Sequence, residues 1–244
     1  MNQEQINWVE RKPRGKPDRM KRSALTSLLL LLPAPTLGVL FGMILMPGTA
    51  VGQWVFIFSK GWIFLLPALW FLLIEKGTPH RGKTGKGGFK AGLISGLVIS
   101  LFIVAIYLLL GPRLIDAERV KALASEIGLD RRALYIGGAF YWIGVNSVLE
   151  EYVWRWFTVR QCVKLMKPGA AVIVSALGFT LHHIFALQVY FSPTVTVCCS
   201  IGVFIGGAVW SRLFIRYKTI WPGYVSHALV DIAVFGIGYV LIFS

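Results

Sequence analysis

Acidic residues are scarce in this chain. Only 11 Asp and Glu stand against 25 Lys and Arg among 244 residues, and 15% of the sequence is charged, where a soluble domain carries about a quarter. With 56% hydrophobic residues and a mean hydropathy of +0.67, that shortage excludes an ordinary soluble protein and points to a membrane protein. Cysteine is rare as well. Cys162, Cys198 and Cys199 are too few and too unevenly spaced for a disulfide framework or a thiolate zinc site, and they read as small apolar residues. The HExxH pattern is absent, and so is any internal repeat. A cleaved signal peptide is not expected, because the basic leader is long, the first apolar run exceeds a usual h-region and no small-residue cleavage site follows it.

What is abundant is apolar sequence in long runs. Scanning for about 20 apolar residues, enough to cross about 30 Å of hydrocarbon, gives spans from about Ser23 to Met46, interrupted by Pro33 and Pro35, and from about Trp54 to Ile74, interrupted by Lys60. The third, "AGLISGLVISLFIVAIYLLLG", is continuous. A fourth starts near Leu134, a fifth covers about Ala170 to Tyr190, a sixth about Val195 to Ile215, and the last runs from about Ile220 to the end, either whole or as two shorter helices. The expected fold is all-α, a polytopic membrane helical bundle of about seven spans, with six to eight as the range. Three segments follow: residues 1–22 as a basic cytoplasmic stretch, 23–133 as N-terminal membrane helices and loops, and 134–244 as the membrane core that carries the chemistry.

The formal net charge of +14 finds its explanation in where the basic residues lie. Arg11, Lys12, Arg14, Lys16, Arg19, Lys21 and Arg22 precede the first span, and Lys76, Arg81, Lys83, Lys86 and Lys90 follow the second. Under the positive-inside rule both face the cytoplasm, and strict alternation puts Arg160, Lys164, Lys167, Arg216 and Lys218 on the same side. The connection "RLIDAERVKALASEIGLDRR" mixes both signs and is expected outside, with a short amphipathic helix. The charge therefore reads as topology in a cell (inner) membrane, with attraction to anionic headgroups as an addition, and not as a nucleic-acid surface.

Within "GTPHRGKTGKGG", Gly77, Gly82, Lys83 and Thr84 match the P-loop pattern. That motif works between a strand and a helix N-terminus, whereas this stretch follows a membrane span and continues into Gly85, Gly87 and Gly88. A flexible basic cytoplasmic loop is the better reading.

Ionisable residues inside membrane spans are costly and usually functional. "SVLEEYVWRWF" places Glu150, Glu151 and Arg155 in the fourth span. The i, i+4 spacing lets Glu151 meet Arg155, while Glu150, turned by about 100°, needs partners from elsewhere. "FTLHHIF" offers His182 and His183, and "SHALVD" offers His227 and Asp231 one turn apart. A rise of 1.5 Å per residue puts Glu150 and His227 about 10 Å and His183 about 20 Å from the cytoplasmic helix ends, close enough to converge once helices tilt. Each element alone has a structural reading as an ion-pair clamp, a packed histidine or core and interfacial aromatics, but their joint occurrence on three helices favours a site. Trp154, Trp156 and Phe157 fit either a lateral opening to lipid or interfacial anchoring.

These motifs resemble a known family. "EEYVWR" fits EExxxR, Phe179 and His183 fit FxxxH, and His227 and Asp231 fit HxxxN/D, in the order seen in the CPBP family of CAAX proteases and bacteriocin-processing enzymes, also called Abi proteins. The similarity runs from about Tyr141 to Ala233 and includes "GVFIGGAVWSRLFIRYKTIWPGYVSHALVD"; the first 130 residues share only helical, hydrophobic character. The resemblance implies an intramembrane endopeptidase of glutamic type on the fold of the Ras-converting CAAX endopeptidase, acting on a membrane-anchored or lipidated protein or peptide. Glu150 would activate water, and His183 would position or polarise it. His227 and Asp231 would stabilise the oxyanion, while Glu151, Arg155 and Phe179 would hold the site together. Where relatives carry Asn, Asp231 would act either protonated or by accepting from His227. His182 and Trp154 are candidate pocket residues. Two alternatives stay open: a zinc enzyme with Glu150, His183, His227 and Asp231 as ligands, and a non-enzymatic immunity or transport protein.

Overall fold

The computed structural model describes residues 17–76 and 87–244. Among them every regular element is a helix. The P-loop-like residues Gly77, Gly82, Lys83 and Thr84, and Arg11 to Lys16 of the basic leader, lie outside the described residues.

Among the described residues, six helical stretches are long and apolar enough to cross a membrane: Pro17–Leu45, Ala50–Ile74, Phe89–Leu114, Pro168–Tyr190, Pro193–Tyr217 and Trp221–Phe243. In the first, α1 (Pro17–Leu31) and α2 (Pro33–Val39) meet at Leu32, and a π-helical turn, Leu40–Leu45, completes the span. Pro33 cannot donate a backbone hydrogen bond, which accounts for the interruption there. The second span is α3 (Ala50–Leu69) with a π-turn at Trp70–Ile74, and α4 (Phe89–Leu114) is the third. The amphipathic helix expected in the connection after it is α5 (Ala117–Glu126), whose first turn is capped by Asp116 accepting from Arg119 N at 3.0 Å. Arg119 Nη2 reaches Val189 O at 2.9 Å, tying α5 to the end of a later span.

The fourth expected span differs from the other six. Residues 132–165 are helical throughout, but as alternating pieces: α6 (Arg132–Tyr141), a π-turn at Trp142–Asn146, α7 (Ser147–Glu151), a longer π-stretch at Tyr152–Val159, and α8 (Arg160–Leu165). Its polar content keeps it out of the set defined by hydropathy, so six spans plus this run stand where about seven were expected. Wide turns leave carbonyls poorly paired, and two hydroxyls reach back five residues to them. Thr158 Oγ1 donates to Val153 O at 2.9 Å, and Ser147 Oγ lies 3.0 Å from Trp142 O, a contact that shares the hydroxyl's one proton with the shorter one to Asp231.

This interrupted helix is the centre of the bundle. Val153, Trp154 and Phe157 form a core with Leu31, Ile63, Leu66, Phe179, Trp210 and Val230, contributed by five other helices. The remaining spans are α9 (Pro168–Tyr190), α10 (Pro193–Tyr217) and an unbroken α11 (Trp221–Phe243), so the last segment is one helix. On the periphery α4 exposes Leu101, Phe102, Leu108 and Leu109 along its outer face, as a lipid-facing helix does. It meets α11 through small residues: a Cβ on Gly92 would strike the backbone of Pro222, and one on Gly96 would lie 2.9 Å from Ser226 Cα. Ser95 and Ser100 then hydrogen-bond across to Ser226 Oγ and Leu229 O, the close small-residue packing typical of membrane helices.

Candidate active site

Adjacent glutamates on a helix point in different directions, and here the two environments separate sharply. Glu151 is fully buried: its Oε1 lies 3.2 Å from Arg155 Nη1, with both side chains at 0% exposure. The guanidinium is sandwiched by rings, 4.7 Å from the Phe179 centroid and 5.0 Å from that of Trp210, and its Nη2 reaches Gly207 O at 3.5 Å. The pair therefore fastens the central helix to α9 and α10, and its apolar surroundings make either charge costly to leave without the other.

Glu150 sits 13% exposed on another face. Asn146, one turn earlier, donates to its Oε1 at 2.9 Å. Its Oε2 lies 3.6 Å from His227 Nε2. Ligand atoms of Glu150, His182 and His183 all fall within 4.8 Å of one another. His183, which rise per residue put deeper than Glu150, is thus brought beside it. The carboxylate opens onto a cavity whose wall includes Lys60, Phe64, Pro35 and Val39 from α2 and α3, with Trp154 and His182.

The histidines are oriented by backbone, carboxylate and ring contacts. His183 Nδ1 lies 2.8 Å from Phe179 O; a carbonyl only accepts, so Nδ1 carries the proton, which in the neutral ring leaves Nε2 bare. His227 Nδ1 lies 3.2 Å from Glu151 Oε1, and Trp210 stacks on its ring at 3.9 Å and 16°. Trp210 Nε1 in turn donates to Ser226 Oγ at 3.0 Å. His182 lies parallel to Trp154, at 5.6 Å and 7°.

Every residue singled out in the three motifs falls into this cluster, with two revisions of arrangement. Asp231 Oδ1 is 3.8 Å from His227 Nε2, beyond hydrogen-bond length; its short bond is to Ser147 Oγ, at 2.6 Å, and Glu151 is the carboxylate that positions His227. Trp154 and Phe157 are each 2% exposed and pack in the core, so neither faces lipid; Trp156 is half-buried, stacked on Tyr152 and edge-on to Phe71. Sequence reasoning passed over Asn146 and Ser147, although both lie one turn from an acid or its neighbour on a polar face. It also passed over Trp210, Ser226 and the cavity position of Lys60, which only the packing of separate helices reveals.

Comparison with known proteins speaks to the same segment. Residues 132–233 match the family model described as type II CAAX prenyl endopeptidase Rce1-like. This stretch is an Rce1-like domain. It contains the whole cluster from Asn146 to Asp231, and the match supports a CAAX-type intramembrane endopeptidase in general terms, of a family of membrane proteases. No curated protein and no solved structure gives a significant match to the chain.

Proposed function

We propose that the Rce1-like domain hydrolyses its peptide bond with water activated by Glu150, on a membrane-anchored or lipidated protein or peptide brought in from the cytoplasmic side. The observation that carries this reading is the division between the two acids: Glu151 is locked to Arg155, while Glu150 faces the cavity with His183 and His227 beside it. Water bound there would give one hydrogen to Glu150 and the other to the bare Nε2 of His183, which aims its oxygen at a carbonyl. Attack transfers the first proton to Glu150, and the same carboxyl returns it to the leaving amine. With Nδ1–H given to Glu151, a doubly protonated His227, its charge balanced by the carboxylates around it, would turn its Nε2–H to the oxyanion, the preorganised donor that such chemistry needs. Asp231, held by Ser147, would line that pocket and not contact the reacting atoms directly.

The basic residues around the first two spans and at the ends of α8 and α10 support an N-terminus in the cytoplasm of an inner-membrane protein. Comparing the termini of membrane proteins in cells carrying wild type and Glu150→Gln tests the proposal. New C-termini that depend on Glu150 are expected, and their absence would remove the endopeptidase reading.

One observation favours a second reading. Glu150, His182 and His183 offer three donor atoms close enough to share an ion, a set of the size that catalytic zinc uses with water as the fourth ligand. It differs from the zinc set expected from sequence by using His182 in place of His227 and Asp231. Stoichiometric zinc in purified protein, lost in His182→Ala, would establish it; full activity in metal-free protein would dismiss it.

A further inference from the structure

Two arginines stand where the positive-inside rule does not put them. On the topology proposed above, Arg131 and Arg132 open α6 on the side of the membrane opposite the basic clusters. Several charges beside them are engaged: Arg119 with Val189 O, Lys121 with Glu118, and Asp130 accepting from Ser125 Oγ at 3.0 Å. Arg131 and Arg132 are exposed and form no ion pair among the described residues. Arg132 lays its guanidinium 5.7 Å from the ring centroid of Phe243, at the end of α11.

From that contact inward, α6 and α11 leave a groove between them. Arg132, Tyr135, Ala139 and Ile143 follow one another at three or four residues, and Ile232, Gly236, Tyr239 and Phe243 do the same, so each set shares a helix face. Tyr135 fastens the two helices by donating to Phe235 O at 2.7 Å. Between Tyr135 and Ile143 the faces border an open, apolar trough of about 480 Å³, within the size range of ligand sites. Gly236 leaves it room, since a Cβ there would meet nothing within 4 Å. Neither Glu150 nor any of the histidines lines it.

From this geometry we infer that the groove is a binding site for an anionic phospholipid, with one acyl chain against α6 and α11 and the phosphate on Arg131 and Arg132. Length and charge together single out that occupant. From Tyr135 to Ile143 the helix rises about 12 Å, and one leaflet supplies about half of a 30 Å hydrocarbon core. The groove thus stays within one leaflet, as a chain hanging from an interfacial headgroup does. The arginines stand one turn beyond Tyr135 at its outer end, and a guanidinium fork matches a phosphate. A zwitterionic lipid would fill the trough equally but bring its own cation to that end. The site does not depend on how Glu150 works.

The test places full-length protein in phosphatidylcholine liposomes doped with a lipid that carries a photoactivatable acyl chain under either a phosphatidylglycerol or a phosphatidylcholine headgroup. Labelled residues are mapped by mass spectrometry. Labelling of residues 136–143 and 232–239 is expected to be about fivefold to thirtyfold stronger from phosphatidylglycerol, the range that two arginines at a lipid surface supply. Replacing both exposed arginines, by Arg131→Gln with Arg132→Gln, should bring that ratio near one. Gly236→Leu, whose side chain grows into the groove, should cut labelling there from both lipids while labelling of the outer face of α4 stays as in wild type. Should Gly236→Leu disturb α4 as well, the arginine variant decides. Equal labelling by the two headgroups in wild type, a preference that survives loss of the arginines, or groove labelling unchanged in Gly236→Leu would each overturn the site and leave ordinary bilayer contact. A photoactivatable farnesyl cysteine peptide, which has no phosphate, should label the groove more weakly than phosphatidylglycerol; stronger labelling would overturn the inference and give the groove to a substrate lipid.

Discussion

His227 Nδ1 and Glu151 Oε1 are 3.2 Å apart, and the same oxygen lies 3.2 Å from Arg155 Nη1. One carboxylate oxygen thus joins the last helix to the central one while it neutralises a guanidinium. Removing it should be felt as stability before it is felt as chemistry. Glu151→Ala leaves Arg155 buried among Phe179 and Trp210 without a counter-charge, a loss on the order of 3–5 kcal/mol. Unfolding in detergent, followed by fluorescence of the buried tryptophans, should show a large drop in midpoint; a drop below about 1 kcal/mol would mean the ion pair holds nothing together.

Glu150→Gln should behave in the opposite way. The amide oxygen still accepts from Asn146, and the residue is near the cavity, so folding changes little. Loss of the base should lower kcat by about 10²–10⁴-fold. Substrate trapping by this variant, with KM-like affinity retained, distinguishes lost chemistry from lost binding.

Gly223 sits at the start of α11 where a Cβ would run into Glu151 Oε2. Gly223→Ala must push the carboxylate or the helix aside, and both hold His227. We expect destabilisation of about 1–3 kcal/mol, the usual range for overpacking, with a fall in kcat. An alanine variant as stable and active as wild type would show that Glu151 has room the packing denies it.

Asp231 and Ser147 form a separate test. Asp231→Asn keeps an oxygen for Ser147 to bond, and the side chain does not contact the reacting atoms, so activity should persist within about threefold, far less than one charge-assisted hydrogen bond is worth. Ser147→Ala leaves the carboxylate without its 2.6 Å donor and should reduce kcat more than Asp231→Asn does. Should the asparagine variant instead be dead, the negative charge itself is required.

Much of the architecture was legible from the sequence because hydrocarbon imposes its thickness on the chain. The six long spans lie within a few residues of the apolar runs, and α5 appears where the charges are mixed. The central helix was harder, since the residues that make it a site also lower its hydropathy. Helical spacing was enough to separate Glu151, which meets Arg155, from Glu150, which does not. It was not enough for Trp210, which covers His227 from another helix, or for Lys60, which looks in one dimension like a flaw in an apolar run and in three like part of a cavity wall. Which oxygen faces which nitrogen at Asp231 is decided by a few tenths of an ångström and by a serine one turn away, and no periodicity encodes that.

The π-turn at Trp142–Asn146 gives this helix an unusual sensitivity to length. Upstream of it, Tyr135 donates to Phe235 O at 2.7 Å and packs against Phe235, Tyr239 and Phe243; downstream, Glu150 addresses the cavity. Adding one residue between them would exceed the surplus that the wide turn already takes up and would swing one end by about 100° against the other. Docking of Tyr135 on α11 and aim of Glu150 could not then coexist. In this stretch the chain should accept many exchanges of one side chain for another while tolerating no addition to their number.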